Sequence, residues 1–176
     1  MIRKIYMLND FLKEKFNEKI YKVSLDGGFT CPNRDGKVSK GGCIFCSENG
    51  SGDFTATKLK SIHEQIEEQI DLVSKKYKGD KYIAYFQNFT NTYAEVSYLR
   101  KIYQEALSHE KIVGLAIATR PDCLGDDVLE LLAELNKKTF LWVELGLQTV
   151  NDDVAKYFNR AYETGIYQEA SEKLNK

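Results

Sequence analysis

Cysteine and histidine are scarce in this chain, four and two among 176 residues. So few thiols exclude a disulfide-dense scaffold, and the length is enough to bury a core without such staples. Long apolar runs are missing from the N-terminus, where MIRKIYMLNDFLKEKFNEK mixes charged and apolar residues throughout. That excludes a signal peptide or membrane span there, and it sets the expectation of a cytoplasmic protein whose thiols stay reduced. An excess of one charge is missing too: the net charge of −1 gives no global sign of nucleic-acid binding. No repeat, low-complexity tract or Pro/Ser-rich linker divides the chain, so one domain is expected.

What is present is an alternation of apolar runs and amphipathic stretches. KYIAYF (81–86), KIVGLAIAT (111–119) and TFLWVELGLQ (139–148) read as strands buried on both faces, with IYKVSLDGG (20–28) a first strand before them. Leu59, Ile62, Ile66, Ile70 and Val73 predict a helix over 58–77. Val96, Leu99, Tyr103 and Ala106 predict another behind a Thr92-x-x-Glu95 capping box. A third, with Val128, Leu131, Leu132 and Leu135, starts from an Asp126 cap. Asn151 caps a fourth helix ending near Asn159, and 164–175 forms a fifth. His63 and His109 fall on helix surfaces. Strands alternating with helices give an α/β fold with a parallel sheet.

Three strands carry a small or polar face. Leu141, Val143, Leu145 and Leu147 alternate with Phe140, Trp142, Glu144, Gly146 and Gln148. Val113, Leu115 and Ile117 alternate with Gly114, Ala116 and Ala118, and Val23 and Leu25 with Lys22, Ser24 and Asp26. Such a face lines a ligand cavity, and parallel α/β folds gather function at C-terminal strand ends. Asn88, Arg120, Gln148 and one cysteine-rich loop fall there.

That loop, FTCPNRDGKVSKGGCIFCSENGSGD (29–53), holds three of the four cysteines, Cys31, Cys43 and Cys46, among turn formers rather than core residues. A structural zinc wants a fourth ligand, and Cys123 and the histidines stand apart in sequence. A redox pair leaves Cys31 unexplained, and a catalytic cysteine lacks a positioned histidine. Three thiolates also suit a cubane iron–sulfur cluster with one iron left open to a substrate.

On these residues the chain resembles the radical SAM superfamily, specifically the branch near the catalytic subunit of Elongator. The superfamily's Cys-x3-Cys-x2-Cys motif is stretched, with eleven residues between Cys31 and Cys43, a feature of that branch. IATRPDCL (117–124) and WVELGLQTVNDDVAKYFNRAY (142–162) are similar to its third and fourth strand exits. The resemblance implies a partial (β/α)6 barrel, of which residues 20–176 form the first four units behind an N-terminal helical extension at 1–19, with the remainder lying beyond this chain. It implies that Cys31, Cys43 and Cys46 hold a [4Fe–4S] cluster and that Phe45 meets the adenine of S-adenosylmethionine (SAM). It places Gln148 at the ribose or amino end and Arg160 at the carboxylate, with Gln87, Asn88, Arg120 and Glu144 also facing SAM. A ferredoxin or flavodoxin reduces the cluster, and SAM cleavage yields a 5′-deoxyadenosyl radical. The implied substrate is tRNA, at the wobble uridine. The chain departs from the family by lacking a Gly-Gly-Glu motif after the second strand, and it has Ala118 where branch members carry glutamate before Thr-Arg-Pro-Asp.

Plainer roles compete at each position. Gln148 can satisfy a strand end, Arg160 a helix terminus, and Arg120 can pair with Asp122, while Cys123 reads as a core thiol. Glu144 is harder to dismiss, because a carboxylate facing inward from a strand needs a partner. Residues 1–40 hold nine Lys/Arg against five Asp/Glu, either a solvated face or a phosphate-facing patch. A zinc- or cluster-stabilised binding module without catalysis is the rival function, and an inactive remnant a third.

Overall fold

The computed structural model describes residues 5–48 and 60–176. Four parallel strands, β1 (Tyr21–Leu25), β2 (Tyr82–Phe86), β3 (Ile112–Thr119) and β4 (Phe140–Leu145), lie side by side in chain order. Helices α2 (Ile62–Ser74), α3 (Val96–Leu107) and α4 (Asp126–Asn136) return the chain between them. A helix α1 (Leu8–Phe16) precedes the sheet, and α5 (Asp152–Tyr157) and α6 (Thr164–Leu174) follow it. Lys58 and Leu59, counted in the helix expected over 58–77, lie outside the described residues.

Both faces of the sheet carry a core. Val23, Leu25, Leu115 and Ile117 point to the helix layer, where they meet Ile66 of α2, Leu99 of α3 and Leu131 of α4, none of them exposed. Each such side chain contributes about 1.5–3 kcal/mol through burial. On the other face α1 lays Leu12, Phe11 and Phe16 against Ile83, Ala116, Phe140 and Trp142. That face is filled at the α1 end and open where the strands end.

Three local expectations are corrected. Val113 leaves the face of Leu115 and Ile117, because the β2–β3 register slips between Tyr82 and Ile83 and turns Val113 toward the α1 side. The Thr92–Glu95 capping box does not form: Thr92 Oγ1 donates to the Cys123 carbonyl at 2.6 Å and lies 2.5 Å from Thr119 Oγ1, leaving Glu95 as the N-cap of α3. The N-cap of α4 is Gly125, with Asp126 already helical. Asn151 caps α5 as expected, its side chain accepting from the Asp153 and Val154 amides.

Candidate functional site

The polar groups gather at the C-terminal ends of the strands. Cys31, Cys43 and Cys46 border one cavity of about 290 Å³, whose far wall is β4 and the segment after it. Tight backbone bonding shapes the cysteine loop. The Cys31 carbonyl accepts from the Arg34 and Asp35 amides at 2.8 and 3.2 Å, and the Gly42 amide donates to the Asn33 carbonyl at 2.8 Å. Gly42 sits at φ +77°, and a Cβ there would lie 2.8 Å from Arg34 Nε. The Arg34 guanidinium threads the loop and donates to the carbonyls of Cys46, Ser47 and Glu48. A hydrogen bond from Cys43, with the Arg34 and Arg120 cations, lowers the Cys46 thiol to about 7. The Cys43 thiol is raised by that same bond and by burial.

The loop is tied to the far wall through Asn159. Its side-chain amide donates to the Gly42 carbonyl at 2.8 Å, and the Phe158 carbonyl accepts from the Ile44 amide at 3.2 Å. The Phe45 ring, 55% exposed, meets Phe158 edge to face at 5.3 Å and borders the cavity. Phe89, Gln148, Asn159 and Ala161, four of the five described non-glycine residues with positive φ, all lie around this site. Such backbone costs of order 1–3 kcal/mol each and persists where surrounding contacts overdetermine it.

Each expected site residue has a definite place. Gln148 borders the cavity, its amide oxygen accepting from Tyr162 Oη at 3.0 Å. Arg120 is 9% exposed and borders the cavity, paired with Asp122 at 2.7 and 2.9 Å. Burial works against its charge, but Asp122 more than offsets that and holds its pKa above the ordinary value. Glu144 faces the cavity and has the partners an inward carboxylate needs: Lys22 Nζ, and Tyr85 Oη at 2.6 Å. Burial first, then this bond, raises the Tyr85 phenol. Gln87 borders the cavity.

Two expected site residues are held by bonds within the chain. Arg160 borders the cavity, is 1% exposed, and has all five of its N–H groups used inside the chain. Nε donates to the Tyr162 carbonyl, Nη1 to the carbonyls of Leu147 and Thr149, and Nη2 to Asp152 and Thr164. Its donors are thus spent on the cavity wall, which Arg160 braces. Asn88 is buried off the cavity wall, its amide nitrogen donating to Asp26 at 3.1 Å.

Tyr162 is a residue that sequence reasoning passed over. Its ring packs against both guanidinium groups, 4.9 Å from Arg120 and 4.5 Å from Arg160, and its hydroxyl also donates to the Gly146 carbonyl. Asn33, Arg34 and Asn159 were passed over as well. Lying within loops, they carry no periodicity to mark them.

The donor set suits a cluster better than one ion. Cys123 borders a different depression with Pro32 and Thr92, its thiol raised to about 12 by burial and then by Asp122. His109, expected on a helix surface, is buried beyond α3 and lies 2.9 Å from the Glu67 carboxylate. With exposed His63 these form the group whose ligand atoms meet within 4.8 Å among the described residues. Even there, His109 Nδ1 accepts the Lys111 amide, so Nε2 carries the proton and is closed to a metal. Three thiols border one cavity while Cys123 lines another depression, and three is the number of thiolates that a cubane with one open iron takes.

The family model described as Radical SAM superfamily matches residues 31–176. The chain is 51% identical over 174 residues to YtqA of Bacillus subtilis (strain 168), covering 99% of this chain and 54% of that protein. It is 42% identical over 169 residues to YhcC of Escherichia coli (strain K12), covering 96% and 53%. It therefore spans about half the length of these curated relatives. Its fold is similar to that of Elp3 from the archaeon Methanocaldococcus infernus, solved with an N-terminal deletion (1–46). That likeness has a TM-score of 0.55 at 17% identity and covers 86% of this chain and 34% of the other. The α/β sheet is thus a partial barrel of that kind.

Proposed function

The chain belongs to the radical SAM superfamily, and from that premise we propose that it is the cluster- and SAM-binding core of an enzyme that modifies tRNA at the wobble uridine. The observation that carries the proposal is the convergence of Cys31, Cys43 and Cys46 with Arg120, Glu144 and Gln148 on one cavity. The three cysteines hold a [4Fe–4S] cluster. When bound, cluster and SAM supply one-electron cleavage of the sulfonium bond and, through it, hydrogen-atom abstraction from the substrate.

The chain's own side chains orient and exclude. Arg34 locks the cysteine loop and, with Arg120, adds positive charge beside the thiolates. Arg120 is the cation proposed to face the SAM carboxylate, since the Arg160 donors are spent within the chain. Gln148, held by Tyr162, donates toward the polar end of SAM, and Gln87 serves its amino group. Phe45 offers an apolar edge to the adenine. Glu144 is aimed by Lys22 and Tyr85 at the cavity floor, above the apolar plug that α1 builds against water.

Family resemblance supports tRNA as the substrate, and Lys37 and Lys40, exposed on the cysteine loop, suit its phosphates. A ferredoxin or flavodoxin is the proposed reductant. The cytoplasm is the proposed compartment, since all four cysteines are free thiols and no described helix is long and apolar enough to cross a membrane.

The test is anaerobic reconstitution with iron and sulfide, followed by metal analysis and EPR of the reduced protein with and without SAM. The expected result is about four irons per chain and a reduced signal that SAM alters. One tightly held zinc, with no cluster and no response to SAM, would overturn the proposal in favour of a binding module. With cluster and SAM binding established, tRNA should stimulate 5′-deoxyadenosine release. Stimulation by a free nucleoside alone would move the substrate assignment away from tRNA.

A further inference from the structure

One buried side chain reaches a cysteine sulfur directly. Asn33 is 0% exposed and follows Cys31 by two residues, and its Nδ2 lies 3.4 Å from Cys43 Sγ and 2.6 Å from the Asn159 carbonyl. The amide has two hydrogens and places one on each acceptor. Cys43 Sγ is itself 3.4 Å from that carbonyl. A thiol can donate to the carbonyl, but a thiolate cannot, and then two electron-rich atoms face each other. The Asn33 amide is what lies between them.

The same side chain is poorly chosen for stability. Its Oδ1 is buried with no hydrogen-bond partner among the described residues. A buried polar atom left in that state is a net cost to the fold. Leucine has nearly the shape of asparagine and would carry no such penalty, so the donor is what the site requires. The amide is also fixed in place. The Asn33 carbonyl accepts from Gly42, while the Asn159 side chain donates to the Gly42 carbonyl and accepts from Ser39 Oγ at 3.3 Å.

We propose that the Asn33 side-chain amide is a positioning residue that donates a hydrogen bond to the ligating sulfur of Cys43 and thereby raises the reduction potential of the cluster held there. The inference rests on the cluster assignment of the three cysteines. An electron added to a cluster increases negative charge on its sulfurs, so an N–H aimed at one of them favours the reduced form. Arg34 and Arg120 act on the thiolates as diffuse cations, whereas Asn33 supplies a directed neutral donor that adds no charge to the cavity.

The experiment is a redox titration of the reconstituted protein, followed by EPR, for the wild type and Asn33→Leu. The expected result is a full complement of iron in both and a lower midpoint potential in the variant. Equal potentials with equal iron would overturn the proposal and leave the cluster assignment standing. A wild type that assembles no cluster would overturn both. Should Asn33→Leu fail to fold or hold iron, the wild type labelled with 15N at asparagine side-chain amides provides the second readout. Pulsed EPR of its reduced cluster should show a 15N coupling, and the absence of any coupling would overturn the proposal.

Discussion

Arg160 and Arg120 look alike in the sequence and differ in what surrounds them. Arg160 spends all five donors on five residues of its own wall, so replacing it leaves buried carbonyls unpaired. Arg160→Met should cost about 3–5 kcal/mol in denaturant unfolding. A variant of unchanged stability that loses SAM affinity would restore the ligand role to Arg160. Arg120→Gln should weaken SAM binding at least about tenfold by anaerobic titration, the loss of one charge-assisted hydrogen bond. Asp152 adds a pH dependence. Its Oδ1 accepts from the Thr164 amide and hydroxyl and from Arg160, which together hold the carboxyl below its usual range. A depressed folded pKa means that the contribution is fully present above the unfolded value near about 3.9 and is lost as pH falls through the folded one. Asp152→Asn should lower the melting temperature near neutrality and flatten its decline in acid. Parallel curves would show that Asp152 is not the titrating group.

Among the elements, β3 does two jobs that its sequence only half discloses. Its apolar run announces a buried parallel strand, and that part was legible. The register slip at Val113 was not, because it depends on the pairing with β2 and on α1 offering a second apolar surface. Thr92 shows the same limit: its spacing to Glu95 fits a capping box, yet Thr119 and Cys123 capture its hydroxyl first. Gly114 allows a close approach of β3 to β4, since a Cβ there would lie 2.6 Å from the Phe140 carbonyl oxygen. That atom belongs to a backbone fixed by the sheet and cannot step aside. Gly114→Ala should therefore destabilise by about 1–3 kcal/mol and loosen the Phe140–Trp142 aromatic packing, visible in tryptophan fluorescence. An alanine variant as stable as the wild type would show that the strand pair can part at no cost.

At the scale of the whole molecule, the inner face has a closed end and an open one. α1 closes the first with Leu12, Phe11 and Phe16, while the cysteine loop and residues 158–162 meet across the second. That the cysteines, Phe45 and Gln148 border one cavity follows what the family resemblance led one to expect of the motif positions. Asn33, Asn159 and Tyr162 were not legible, because they act through contacts with residues distant in the sequence, Asn33 with Asn159 and Tyr162 with Arg120. Those long-range contacts also determine how a ligand would change stability. A cluster binds the folded loop and not the unfolded chain, so loading shifts the folding equilibrium by mass action. For a chain of this size a gain of about 3–4 kcal/mol raises the melting temperature by roughly 5–15 °C. The gain should also be local. Hydrogen exchange should slow at residues 31–46 and 158–162 after reconstitution, while α1, at the opposite end of the face, keeps its rate until global unfolding. Chelation of the iron should reverse both effects. Protection spread evenly over α1 and the cysteine loop would mean that the two ends unfold as one unit, and that the open end carries no separate allowance of motion for a ligand to remove.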